Sequence, residues 1–158
     1  MGGDLGGPAV LIETAGYGDP EVQALVERVQ AEYVVRYGGP DRTPVDPAEF
    51  AAPDGTFLVA RVDGEVVACG GFRRHDATAC EVKRMFVPPE HRGRGYARAL
   101  LGALEETAKG IGYRRVLLET GVAQPEAIGL YESAGYARVP GFGLYRDSPN
   151  NRCYGKDL

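Results

Sequence analysis

The chain has 158 residues, 44% of them apolar and 25% charged, with a formal net charge of −4 and a pI near 5.3. That is enough chain for one domain, 1–158, with a sizeable core, and the lack of a basic excess argues against nucleic acid as the general partner. No apolar run approaches the ~20 residues of a membrane span, and the start, MGGDLGG, lacks the basic-then-apolar pattern of a signal peptide.

Cys69, Cys80 and Cys153 lie far apart without CxxC spacing, and His75 and His91 are the only histidines. This pattern disfavours a disulfide framework and a metal site. The expectation is three reduced thiols in a cytoplasmic protein.

In chain order, residues 1–8 are Gly-rich and expected to be mobile. Residues 9–14, AVLIET, have strand character. Asp19-Pro20-Glu21 is a helix start, with Asp as cap, Pro at the first position and Glu at the positive dipole end. Val22, Leu25, Val26 and Val29 follow at helical spacing, and Gly38-Gly39-Pro40 stops the helix. Pro44 and Pro47 make 41–52 a loop with one turn of helix at 46–50. Residues 56–62 and 65–73 form a hairpin about Asp63-Gly64. Residues 81–87 read as the central strand and 95–109 as an amphipathic helix that stops at Lys109-Gly110. Residues 114–119 are a strand, 125–134 a short helix closed by Gly135, and 136–139 a strand. Residues 152–158 close the chain as an edge strand. Strands and crossover helices in this order predict a mixed α/β sheet with helices on both faces.

Between the central strand and its helix stands Pro88-Pro89, followed by Arg92-Gly93-Arg94-Gly95-Tyr96-Ala97. The first N–H groups of a helix lack internal partners and carry the positive end of the dipole. Glycines there let a ligand approach the backbone, and arginines add charge. The stretch is therefore a candidate phosphate or pyrophosphate site. It is neither a Walker A loop nor a dinucleotide fingerprint, because no Gly-Lys-Ser/Thr follows and the position three after Gly95 is Arg98.

Residues 92–97 match in full the Arg/Gln-x-x-Gly-x-Gly/Ala pyrophosphate loop of the GNAT superfamily of acetyl-CoA-dependent N-acetyltransferases. A second stretch, 117–136, LLETGVAQPEAIGLYESAGY, resembles the GNAT segment of strand, polar residue, Tyr-bearing helix and Gly-aromatic. The resemblance covers roughly residues 56–136. It implies the GNAT fold, a mixed central sheet of six to seven strands flanked by about four helices, with acetyl-CoA as co-substrate. It also implies that Met85, Phe86 and Val87 pair with the pantetheine arm through their backbone, while their side chains serve the core. The Val87 N–H would polarise the thioester carbonyl, and residues 92–97 would hold the pyrophosphate. Gln124, where an Asn is common, would hydrogen-bond the pantetheine amides. Tyr131 would protonate the departing thiolate.

Two carboxylates compete as base. Glu81 lies six residues before Val87, and strand alternation puts it on one face with Lys83, Met85 and Val87. A plain Glu81–Lys83 pair is the rival reading. Glu119, at the end of the next strand, is the other candidate. Tyr33, Tyr37, Phe50, Phe142 and Tyr145 are candidates for an aromatic acceptor wall. The expected function is acetyl transfer to the primary amine of a small molecule by direct attack in a ternary complex. The alternatives are acetylation of protein lysines or N-termini, and a non-catalytic acyl-CoA sensor. No nucleic-acid or membrane partner is expected, and a homodimer stays open.

Overall fold

The computed structural model describes residues 9–158, so the expectation for 1–8 lies outside the described residues. The elements run β1 (Leu11–Thr14), α1 (Pro20–Tyr37), β2 (Thr56–Val62), β3 (Glu65–Arg74), β4 (Ala79–Phe86), α2 (Tyr96–Ile111), β5 (Arg115–Gly121), α3 (Pro125–Ser133), β6 (Ala137–Arg138) and β7 (Asn151–Asp157). Short 3-10 turns stand at Pro47–Phe50 and Pro89–His91. One seven-stranded sheet has the order β1-β2-β3-β4-β5-β7-β6, antiparallel except for the β4–β5 pair. The mixed sheet agrees with the expectation; among the described residues three α-helices and two 3-10 turns stand where about four helices were expected. Among the described residues no helix is long and apolar enough to cross a membrane.

The predicted stripe of Val22, Leu25, Val26 and Val29 is buried on α1. It packs over Phe57, Val59, Cys69 and Phe86 on one face of the sheet. On the other face α2 buries Leu100, Leu101, Leu104 and Ala108 against Phe72, Cys80, Val82, Val116 and Leu118. Each such leucine contributes about 1.5–3 kcal/mol. α3 joins this second layer through Tyr131.

Three local expectations change. Asp19 precedes α1, but its carboxylate accepts from the Gly16 N–H at 2.9 Å and caps that turn instead of the helix. α2 runs through Lys109-Gly110 and stops at Gly112, whose φ of 116° suits glycine and whose N–H closes on Ala108 and Lys109. β7 is not an edge strand. It pairs with β5 over seven residues and with β6 over two, so β6 is the edge. The long loop after Val139 lets the tail enter between them.

The feature that shapes the site is a bulge in β4. Gly71 pairs with Lys83 while Cys69 pairs with Phe86, so Gly70 faces both Arg84 and Met85. Arg84 takes up the extra residue with φ 61°, a left-handed conformation that costs a non-glycine residue about 1–2 kcal/mol. The bulge reverses the alternation of side chains. Val82, Met85 and Val87 lie on the α2 face, and Phe86 on the α1 face. Beside it, β4 and β5 pair from Ala79 and Arg115 as far as Val82 and Leu118. Beyond that point the two strands part and leave a cleft.

Candidate active site

Two cavities open from this cleft, of about 420 and 320 Å3, and both are lined by Met85, Gln124, Ala127 and Tyr131. The smaller one runs along Phe86 and Val87 to Gly93, Gly95 and the first turn of α2. The Arg92 N–H is spent on Pro89 O at 3.3 Å. Among the described residues, the N–H groups of residues 93–97 and of Val87 meet no protein acceptor. Gly93 and Gly95 have φ of 79° and 82°, and no side chain caps the helix. Free N–H groups at a helix start form a concavity for an anion, and they fit the pyrophosphate of acetyl-CoA.

The two loop arginines are placed differently, and Arg92 lines the smaller cavity. Arg92 Nε donates to Val87 O at 2.8 Å and its NH2 donates to Glu32 at 2.8 Å, so its guanidinium braces α1 to the loop. Arg94 is exposed and lies off the cavity wall, whereas Arg98, in the first turn of α2, lines it. Tyr96 is buried in the core.

The larger cavity is lined by Tyr33, Tyr37, Lys83, Glu119 and Tyr145, closed at one side by residues 38–42. Of the expected aromatic wall, Phe50 instead packs with Tyr17 and Phe57, and Phe142 stands edge-on to His75 at 5.4 Å. Tyr37 OH donates to Gln124 Oε1 at 3.1 Å, which leaves the Gln124 amide NH2 for the cleft. Tyr37 also lies against the Gly121 backbone so closely that no Cβ fits there.

Tyr131 sits at the junction of the cavities, 7% exposed, its ring edge-on to Tyr136 at 5.9 Å. Among the described residues its hydroxyl has no hydrogen-bond partner. Burial pushes the phenol up to about 12, so it holds its proton at neutral pH.

Glu119 has a side chain only 10% exposed. Its Oε1 is 3.4 Å from Lys83 Nζ, and its Oε2 is buried without a partner. Burial lifts its carboxyl above the usual range; Lys83 opposes this, and Glu81 and Asp41 add to it. Lys83 Nζ also lies 3.3 Å from Asp41, which Arg84 contacts as well. Burial pushes the Asp41 carboxyl up, but Lys83, the Thr43 N–H and Arg84 outweigh it and hold it well below the carboxylate range.

Glu81 is not brought to this group. It is buried on the α1 face with Lys83, opposite Met85 and Val87, and lines neither cavity. Its ion pair is with Arg73 at 3.2 Å, while Lys83 pairs with Asp41 and Glu119. The expectation of one shared face with Val87 is thus overturned by the bulge at Arg84. Asp41, Arg84 and Arg98 escaped the sequence reading. The signal for the bulge was Gly70-Gly71 inside a strand, a mark of close approach: a Cβ on Gly70 would collide with Met85.

The family model for the Acetyltransferase (GNAT) family matches residues 23–136. A curated relative, the IAA acetyltransferase of Azospirillum brasilense, is 43% identical over 106 residues, covering 66% of this chain and 69% of that one. A solved structure from Klebsiella pneumoniae, named as an acyl-CoA N-acyltransferase, superposes with a TM-score of 0.80 at 29% identity, over 94% of this chain and 97% of the other. A GNAT family acetyltransferase from Elizabethkingia anophelis, solved with acetyl-CoA bound, shares the fold at 15% identity, with a TM-score of 0.68 over 94% and 98% of the two chains.

Proposed function

The chain belongs to the GNAT acetyltransferase family and is an acetyl-CoA-dependent N-acetyltransferase, and we propose that its acceptor is the primary amine of a small molecule, acetylated by direct attack in a ternary complex. One observation carries the reading: a single phenol, Tyr131, stands between a cavity with unpaired backbone N–H groups and a cavity with an unpaired carboxylate oxygen.

Acetyl-CoA supplies the acetyl group as a thioester. The N–H groups of residues 93–97 hold its pyrophosphate, and Met85, Phe86, Val87 and Gln124 hold the pantetheine arm. Glu119 accepts a proton from the acceptor ammonium, because only the neutral amine attacks a thioester. The Val87 N–H donates to the carbonyl oxygen as negative charge develops there. The amine nitrogen forms the new C–N bond, the C–S bond breaks, Tyr131 gives its proton to the departing thiolate, and the proton the nitrogen sheds on becoming an amide restores the phenol. Glu81, which lines neither cavity, bears on this chemistry through its charge, which helps to raise Glu119.

Release of free thiol, followed with a panel of small amines and of lysine-containing peptides, tests the reading. Turnover of small amines is the expected result. Turnover of peptides alone would move the acceptor to proteins, and acetyl-CoA binding without any turnover would make the chain a sensor.

A further inference from the structure

We propose that the acceptor carries a carboxylate beside its amine, as an amino acid does, with the amine directed to Glu119 and the carboxylate to Arg42. The inference rests on the acetyl-transfer reading above and adds the acceptor's second group.

Two independent observations meet in the larger cavity. Glu119 Oε2 is buried without a hydrogen-bond donor. Glu119 lines this cavity and its carboxylate has one donor, Lys83, so it keeps spare accepting capacity for an ammonium brought in by the ligand. The second observation is charge. Five ionised side chains line the cavity: Asp41, Arg42, Lys83, Arg84 and Glu119. Four of them cancel in one connected cluster, because Lys83 bridges Asp41 and Glu119 and Arg84 contacts Asp41.

Arg42 is the surplus cation. Its own N–H donates to Tyr145 OH at 2.7 Å, which ties its backbone to the cavity wall. Arg42 is an exposed residue of the cavity lining, and unlike Lys83 and Arg84 it forms no salt bridge with a carboxylate among the described residues. A simple alkylammonium would add a second uncompensated positive charge to this cavity. An amine bearing a carboxylate answers both groups, because its ammonium meets Glu119 and its carboxylate meets the guanidinium fork.

The experiment uses matched triplets: an amino acid, its primary amide and the corresponding decarboxylated amine, in aliphatic and aromatic series. Thiol release is measured with wild type and with Arg42→Gln and Arg42→Lys, and saturation-transfer NMR reads binding of the same compounds in the presence of CoA. The amino acid should exceed its amide and its decarboxylated amine in kcat/KM by roughly ten- to a hundred-fold. Arg42→Gln should narrow that ratio chiefly through KM, and Arg42→Lys should keep part of it. Turnover that is equal across a triplet, or best for the decarboxylated amine, overturns the inference and leaves acetyl transfer to small amines standing. A ratio that survives Arg42→Gln overturns the place of Arg42. No turnover of any compound, with acetyl-CoA binding intact, overturns the acetyl-transfer reading and this inference with it.

Discussion

The two ends of the cleft are built from different material. At the start of α2, the proposed anion site is backbone: consecutive N–H groups in one short loop, free because two glycines hold positive φ. At the opposite end the site is side chains, Asp41, Lys83 and Glu119, drawn from three distant parts of the chain. The first site should answer to changes of φ more than of side chain. The second should answer to every charge, because its groups are buried and share partners. Breaking each end in its own way separates the two.

The largest effect is expected at the side-chain end. Glu119→Gln keeps the shape and removes the proton acceptor, so kcat/KM should fall by roughly a hundred- to ten-thousand-fold in a thiol-release assay. Burial raises the Glu119 carboxyl, so the acidic limb of the wild-type profile should lie above the ordinary ~4.3 of a glutamate and vanish in the variant. An acidic limb left intact would place the base elsewhere.

Asp41→Asn comes next. It leaves Lys83 and Arg84 facing a neutral amide, and urea denaturation at neutral pH should show a loss of about 3 kcal/mol. Asp41 is depressed in the folded state, so the stability it confers is full above its unfolded pKa of ~3.9 and is lost as pH falls from there. The gap between wild type and variant should therefore narrow in acid. Glu119 is raised and slopes the other way: its contribution is greatest below an unfolded pKa of ~4.3 and fades as pH climbs through the folded value. A gap that is constant with pH would deny Asp41 this role.

Tyr131→Phe, at the junction, should lower kcat by roughly ten- to a thousand-fold with little change in acetyl-CoA affinity by calorimetry. A kcat equal to wild type would return Tyr131 to simple packing. At the backbone end, Gly95→Val should weaken acetyl-CoA about ten-fold or more while circular dichroism stays native. Its Cβ would meet no protein atom, so the harm lies in the φ of 82° and in the approach of the ligand. Unchanged affinity in a folded variant would move the pyrophosphate site. The smallest effect belongs to Glu81→Gln. Its charge helps to raise Glu119, so its loss should move the acidic limb slightly downward, with kcat/KM changed by less than about three-fold. A loss as deep as that of Glu119→Gln would restore Glu81 as the base.

The same contrast explains what could be read in the sequence. The glycine loop is legible as a loop of free N–H groups because its residues are contiguous and the feature lies in backbone conformation. The α1 and α2 stripes were legible because burial repeats with the helical period. The Asp41–Lys83–Glu119 cluster was not, since nothing local in the sequence says which three distant charges will meet. The face of Glu81 was misread for one reason. Alternation was carried across Arg84, and the extra residue absorbed there leaves no mark on β4 itself, only the paired glycines on β3 opposite.

The place of β7 has a practical consequence. Tails are commonly trimmed or tagged on the assumption that the last strand is a removable edge. Here the last strand is a structural member in the middle of a span: it holds β5 along seven residues and carries β6 on its other side. Deleting 151–157 would strip the outer support from the strand that bears Glu119 and leave β6 nothing to pair with. Shortening at this end should thus cost catalysis before it changes the glycine loop.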